Sequence, residues 1–122
     1  MDAPKLVERY LEAWNETDPD ARRSAVAGVW TEDATYVDPL TSVSGQDEIS
    51  ALIGAVQEQA PGHVFRLLGD GIDAHHNVVR FSWELVPASG GESLAIGFDV
   101  AVTEQDGRIA NVLGFLDKAP GA

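Results

Sequence analysis

Two aspartates of this chain stand in patterns that suit acid/base chemistry. Residues 31–40, TEDATYVDPL, alternate like a strand until Pro39 ends regular pairing, and this alternation places Tyr36 and Asp38 on one face. A carboxylate beside a tyrosine at a strand end suits a general base at the mouth of a pocket. Asp before Pro is also a common turn pair, so Asp38 could instead cap a turn.

The second aspartate lies in SLAIGFDVAVTE, where Gly97 and Ala101 flank Asp99 on its own strand face. Glycine weakens a strand and adds no packing, so small residues around a lone carboxylate favour a sheet that curves over a cavity. The alternative is a sheet with one solvated side, on which Asp99 and Arg80 merely contact water.

Apolar residues alternate with small or polar residues along the strand that carries Asp99 and along the preceding strand, VVRFSWELV. In each strand one face is small or polar and the other is strongly apolar. The predicted apolar face combines residues of both strands: Phe81, Trp83, Phe98 and Val100. If helices cover the small and polar face, this apolar face needs another partner, which predicts a homodimer.

The elements that must position these residues are helices first and strands afterwards. Helical spacing predicts one helix that Asp2 can cap, with Tyr10 and Trp14 on its apolar stripe. It also predicts a second helix with Asp18 as its N-cap and a third opened by a capping pair of Ser44 and Asp47. Beyond Gly62 the period becomes two, and turn signals separate four strand runs: 63–68, 72–86 (with a break near residue 77), 93–104 and 108–117. We therefore predict a single α+β domain over residues 1–122, with helices on one face of a curved sheet.

The composition of the chain limits the kinds of molecule that it is expected to bind. The 122 residues carry 20 acidic and 8 basic side chains, a formal net charge of -12, so nucleic acid and membranes are poor partners. The lack of cysteine and of a recognisable signal peptide predicts a cytoplasmic protein. His75 and His76 are adjacent and would point to opposite faces of a strand, so we predict no metal site and no cofactor.

Several motifs in order resemble one family: RYLEAW in a helix, then WTEDATYVDPL, then GQDEI, then a meander ending DGRIANVLGF. Together they are similar to the nuclear transport factor 2-like superfamily, nearest to the SnoaL-like polyketide cyclases and the ketosteroid isomerases. The resemblance covers almost the whole chain. It implies a cone-shaped (cystatin-like) fold in which three helices and a strongly curved, mostly antiparallel sheet enclose a deep pocket, usually in a dimer.

The resemblance also implies roles for individual residues. Asp38 before Pro39 corresponds to the general-base aspartate of the ketosteroid isomerases, Asp99 to their oxyanion-binding aspartate, and Tyr10 to their oxyanion tyrosine. In those enzymes the base is ionised, while an apolar site keeps the second aspartate neutral so that it donates a hydrogen bond. Tyr10 could equally be an aromatic core residue.

Other side chains are expected around the substrate: Trp14, Tyr36, Arg80 and Ser82. In the fold of the family, the face that carries Arg80 looks into the cone, so we expect Arg80 to pair with Asp99 or Asp38. Such a pair would keep the carboxylate ionised and would disfavour an apolar steroid, so a small polar or anionic ligand is expected.

Three functions fit these patterns. The first is a cofactor-free acid/base enzyme of isomerase, cyclase or hydrolase type, with Asp38 as base, acting on a small polar or carbonyl-containing compound. The second is a ligand-binding or accessory module without turnover. The third is a structural dimerising domain whose pocket is filled by side chains.

Overall fold

The computed structural model describes residues 2–120, which form three helices and six strands. The helices are α1 (Ala3–Asn15), α2 (Pro19–Val29) and α3 (Gln46–Gln59). The strands are β1 (Trp30–Asp38), β2 (Thr41–Ser44), β3 (His63–His75), β4 (Val78–Pro87), β5 (Ala95–Thr103) and β6 (Ile109–Lys118). The predicted α+β class is confirmed.

The six strands form one mixed sheet in the order β2-β1-β6-β5-β4-β3. The β1–β6 pair is parallel and the other neighbouring pairs are antiparallel. Register shifts interrupt the β1–β6, β3–β4 and β5–β6 ladders. Such irregularities bend strands and increase their twist, and this sheet curves around the helices, which confirms the cone-shaped architecture.

Side-chain caps open the first two helices where the sequence predicts. Asp2 accepts a hydrogen bond from the Lys5 backbone N–H at 3.1 Å, and Asp18 accepts one from the Ala21 N–H at 2.9 Å. The capping pair predicted for α3 is wrong, because that helix is capped by Gly45 at a φ of 87° and has no side-chain cap.

Several features of the strands differ from the prediction. The GDG stretch is an irregularity inside the long strand β3, not a turn between two strands, with Gly69 at a φ of 69°. The break predicted near residue 77 is the real turn, between β3 and β4. The sequence analysis did not predict strand β2, whose last residue, Ser44, was expected to cap a helix, or the parallel pairing of β1 with β6.

The pairing of β4 with β5 corrects the predicted faces. Residues directly opposite in an antiparallel ladder share a face, and here Phe81 lies opposite Asp99 while Arg80 lies opposite Val100. The apolar side chains of β4 therefore share the concave face with the small residues of β5. Phe81 is buried inside the chain, so the apolar face predicted for dimerisation was drawn from two different sides of the sheet.

The main core lies between the helices and the concave face. The ring of Tyr10 is 5.2 Å from the ring centroids of both Trp30 and Phe81, and all three side chains are almost fully buried. Across residues 2–120, no helix is both long enough and apolar enough to span a bilayer.

One side chain of α3 joins all three helices. Gln57 accepts a hydrogen bond from Arg22 at 2.9 Å and donates to the backbone oxygens of Trp14 and Glu16, each at 2.9 Å. These bonds satisfy two carbonyls at the end of α1 and fix that helix, which carries Tyr10 and Trp14, against its neighbours.

Candidate active site

A cavity of about 350 Å³ opens between the helices and the concave face of the sheet. Its polar side chains come from α1, β1, α3 and β5: Tyr10, Tyr36, Asp38, Gln59 and Asp99. The rest of the wall is mainly apolar and aromatic, with Trp14, Phe65, Trp83 and Leu85 among its members. No Lys, Arg or His among residues 2–120 lines it. An apolar cleft with a few convergent polar groups is the usual form of a small-molecule site.

The inner end of the cavity holds a buried tyrosine–aspartate pair. The hydroxyl of Tyr10, on α1, donates to Oδ2 of Asp99, on β5, at 2.6 Å. Asp99 is 3% exposed, and its Oδ1 accepts no hydrogen bond from any residue that the structure describes. A buried acceptor without a partner is uncommon and often marks a functional position.

Burial raises the pKa of Asp99 to about 6. The hydrogen bond from Tyr10 and the nearby Trp83 indole oppose this rise, and the Asp38 charge adds to it. The indole N–H of Trp83 is buried but lies outside hydrogen-bonding geometry for any acceptor within residues 2–120. Burial and, second, the Asp99 charge hold the pKa of Tyr10 well above its ordinary value, so this hydroxyl keeps its proton.

A second tyrosine–aspartate pair, nearer the outside of the cavity, lies at the end of β1. The Tyr36 hydroxyl donates to Oδ2 of Asp38 at 2.7 Å, which confirms that the two side chains share a face. Oδ1 of Asp38 accepts the backbone N–H groups of Leu40 at 2.8 Å and Thr41 at 3.0 Å. Asp38 thus lines the cavity and also caps the turn into β2, so both interpretations of this aspartate describe part of its environment.

Two glycines leave space in the wall of the cavity, Gly114 beside the two aspartates and Gly97 beside Trp83. A Cβ at Gly114 would lie 2.9 Å from Oδ1 of Asp99 and 3.2 Å from Cβ of Asp38. A Cβ at Gly97 would lie 2.6 Å from Cζ2 of Trp83 and would also collide with the backbone of β6. Sequence reasoning found Gly97 but missed Gly114, whose only signal was a glycine inside a strand.

Arg80 and Ser82 do not lie in the cavity, so the predicted positions of both are wrong. Arg80 is on the convex face, where its guanidinium is 3.7 Å from the Asp73 carboxylate and both side chains are mostly exposed. Ser82 lies opposite Phe98 on that same convex face. The face was assigned from the parity of each strand alone, whereas the ladder register decides which residues of neighbouring strands share a side.

The cavity brings together the remaining predicted site residues: Tyr10, Trp14, Tyr36, Asp38 and Asp99. Trp14 stands beside Tyr36, with ring centroids 5.6 Å apart. Trp83, which was expected in a dimer interface, is instead a wall of the cavity and packs edge-on against Phe65 at 5.4 Å. Gln59 was also missed, because nothing in the sequence distinguishes it from a solvated helix residue.

The histidine pair differs from its predicted geometry. His76 adopts a φ of 52° in the β3–β4 turn, and its Nδ1 lies 3.2 Å from Nδ1 of His75. The two rings therefore do not point to opposite faces. Both side chains are exposed, and no cluster of three or more potential metal ligands occurs within the part of the chain that the structure describes.

Comparison with known families identifies the class of protein to which this fold and cavity belong. Residues 7–112 match the model of the SnoaL-like domain, so the chain belongs to the SnoaL-like family. No curated protein matches the chain.

Solved structures agree with this family. A candidate isomerase of the SnoaL-like family from Agrobacterium tumefaciens strain C58 is 43% identical, with a TM-score of 0.89 over 95% of this chain and 97% of that one. A candidate polyketide cyclase from Sinorhizobium meliloti is 21% identical, with a TM-score of 0.71 over 93% and 96% of the two chains. A candidate ketosteroid isomerase from Kribbella flavida is 18% identical, with a TM-score of 0.69 over 97% and 79%. The last two show a shared fold.

Proposed function

We propose that this protein binds a small, neutral, largely apolar compound and catalyses cofactor-free proton transfer on it, with Asp38 as the base. The observation that supports this proposal is the convergence of two tyrosine–aspartate pairs on one cavity whose wall is otherwise mainly apolar. The isomerase description of the Agrobacterium relative favours the same class of reaction.

Asp38 suits the role of base because its position is fixed and its side chain is only partly covered. Three donors hold it, from Tyr36 and from two backbone N–H groups, and its remaining lone pairs can take a proton from a bound molecule. In the proposed step Asp38 removes a proton from a carbon next to a carbonyl. The electron pair of that C–H bond forms the enolate, and Asp38 then returns the proton to the same or another carbon.

The charge of the cavity decides the charge of the ligand. With Arg80 on the convex face, an anionic ligand would meet two carboxyl groups and no counter-charge among the described residues that line the cavity. Burying such an unpaired charge is costly, so the polar or anionic ligand expected from the sequence gives way to a neutral one.

Deuterium exchange tests the proposed base. Proton NMR in D₂O follows the loss of the α-protons of 2-tetralone, a neutral ketone small enough for the cavity. We expect the native protein to accelerate this loss and Asp38→Asn to lower the accelerated rate roughly 100-fold, because the amide keeps the shape but loses the basicity.

Asp73→Asn is the matched control, since it makes the same change on the convex face. Equal exchange rates in the native protein and Asp38→Asn would contradict the assignment of Asp38 as base.

A ligand-binding module without turnover is the alternative, and the engagement of both Asp38 oxygens favours it. Each of these donors must be weakened or shared when the carboxylate takes a proton. Binding of 2-tetralone, measured by quenching of tryptophan fluorescence, without protein-dependent exchange would support this alternative.

We further propose a homodimer through the convex face of the sheet. Val37, Leu113 and Val100 lie side by side across β1, β6 and β5, and the ring of Phe98 stacks on that of Phe115 at 4.8 Å. Leu113 and Phe115 are 44% and 50% exposed. The five side chains of this patch are apolar, and an apolar patch on the surface of a monomer often marks a site of association with a second copy.

A further inference from the structure

Four aromatic side chains form a continuous series along the wall of the cavity, which we call the aromatic arc: Tyr36, Trp14, Phe65 and Trp83. The centroids of consecutive rings in this series lie 5.6, 5.3 and 5.4 Å apart. The arc begins beside a carboxylate, because the hydroxyl of Tyr36 donates to Asp38 at 2.7 Å. The faces of aromatic rings attract organic cations, most strongly where the cation is removed from water.

The cavity contains negative charge without a counter-charge. Oδ1 of Asp99 and Cβ of Asp38 lie 2.9 and 3.2 Å from the point that a Cβ at Gly114 would occupy, so the two side chains are close. Asp99, whose pKa burial raises to about 6, is ionised at pH 7.5. No Lys, Arg or His among residues 2–120 lines the cavity. The field in the cavity therefore favours a cation, and the net charge of -12 attracts cations from solution.

Asp38 is the carboxylate that a ligand can contact directly. Its side chain is only partly covered, whereas Asp99 is 3% exposed and already accepts a hydrogen bond from Tyr10. Asp38 accepts three hydrogen bonds, and a carboxylate has about four lone-pair sites. A lone pair therefore remains for an N–H of a bound ammonium group, in a charge-assisted hydrogen bond.

We propose that the cavity binds a small apolar amine in its protonated form, with the ammonium group on the Asp38 carboxylate and the carbon skeleton along the aromatic arc. This inference goes beyond the proposed function, which concerns a neutral compound that reacts, and names a second class of ligand for the same cavity. The counter-charge of Asp38 and the aromatic rings offset the cost of removing the ammonium group from water. A neutral ligand of the same shape makes the apolar contacts but lacks these two interactions.

Three probes with one ring system test this preference by isothermal titration calorimetry at pH 7.5. The first, 2-aminotetralin, is a cation at this pH, 2-tetralol is neutral, and tetralin-2-carboxylate is an anion. We expect the native protein to bind the amine at least about tenfold more tightly than the alcohol, and the carboxylate most weakly. Equal affinities for the amine and the alcohol, tighter binding of the carboxylate, or no binding of the amine would overturn the inference.

Asp38→Asn keeps the shape of the side chain but removes the counter-charge, so the preference for the amine over the alcohol should fall below about threefold. Asp73→Asn is the matched control, because it removes one negative charge from the convex face and changes the net charge of the chain equally. It should leave the preference unchanged. An unchanged preference in Asp38→Asn, or an equal loss in both variants, would contradict the contact with Asp38.

Phe65→Leu tests the aromatic arc without changing any charge. An aliphatic side chain replaces one ring, so the affinity for 2-aminotetralin should fall at least about threefold more than the affinity for 2-tetralol. Equal losses would show that the ring acts only as an apolar wall and would contradict its proposed role. The comparison of probes on the native protein does not depend on the folding of any variant. Because these are binding measurements, their failure leaves the exchange test of Asp38 intact, and failure of the exchange test leaves them intact.

Discussion

At the scale of the residue, Asp99 makes the stability of the protein depend on pH in a direction opposite to that of most carboxyl groups. Its pKa is raised to about 6 in the folded chain, whereas an aspartate in an unfolded chain titrates near about 4. Between these values the folded state binds the proton and the unfolded state does not. The contribution of Asp99 to stability is therefore largest below about pH 4 and is lost as the pH rises through about 6.

Asp99→Asn has no titrating group at this position, so comparison with the native protein isolates the contribution of Asp99 to the pH dependence of stability. Relative to the variant, the native protein should lose up to about 3 kcal/mol of unfolding free energy between pH 4 and pH 7.5. Urea denaturation of both proteins at a series of pH values measures the difference. A difference that does not change with pH would show that Asp99 is not perturbed by burial.

At the scale of the element, the close approach of β5 to β6 and to the Trp83 indole requires a residue without a side chain at position 97. The Cβ of Gly97→Ala would lie 2.6 Å from Cζ2 of Trp83 and against the carbonyl oxygen of Phe115. Overpacking of this kind costs about 1–3 kcal/mol, and here it also displaces a wall of the cavity.

We therefore expect Gly97→Ala to lower both the free energy of unfolding and the affinity for 2-tetralone. Gly71→Ala, in β3, is the control, because no atom lies within 4 Å of a Cβ added there. Urea denaturation and calorimetry measure the two effects. Equal stabilities of the two variants would mean that the β5–β6 contact relaxes without cost.

At the scale of the whole molecule, the convex patch predicts association. Leu113→Glu should convert the proposed dimer to a monomer at micromolar concentration, because it places two buried charges at the centre of the interface. Ala51→Glu adds the same charge to an exposed position of α3, on the other side of the sheet, and should leave the dimer unchanged. Sedimentation velocity measures the masses, and a native protein that sediments as a monomer would refute the dimer.

Interactions between residues close together in the sequence determined a large part of the local structure of this protein. The caps at Asp2 and Asp18 depend on side chains that reach backbone groups three residues away. The Tyr36–Asp38 pair follows from the alternation of one strand, since residues two apart share a face in any sheet. The order of helices and strands, and with it the α+β class, depends on periodicities of the same short range.

Contacts between distant segments were decided by the tertiary structure alone. Tyr10 and Asp99 are 89 residues apart, and their hydrogen bond exists because α1 packs across the concave face of the sheet. The alternation of residues within β4 could not assign Arg80 to the concave or the convex face. The register of β4 against β5 determines which residues of the two strands share a face. That register, like the parallel pairing of β1 with β6, is set by packing of the whole sheet against the helices, which no short stretch of the sequence encodes.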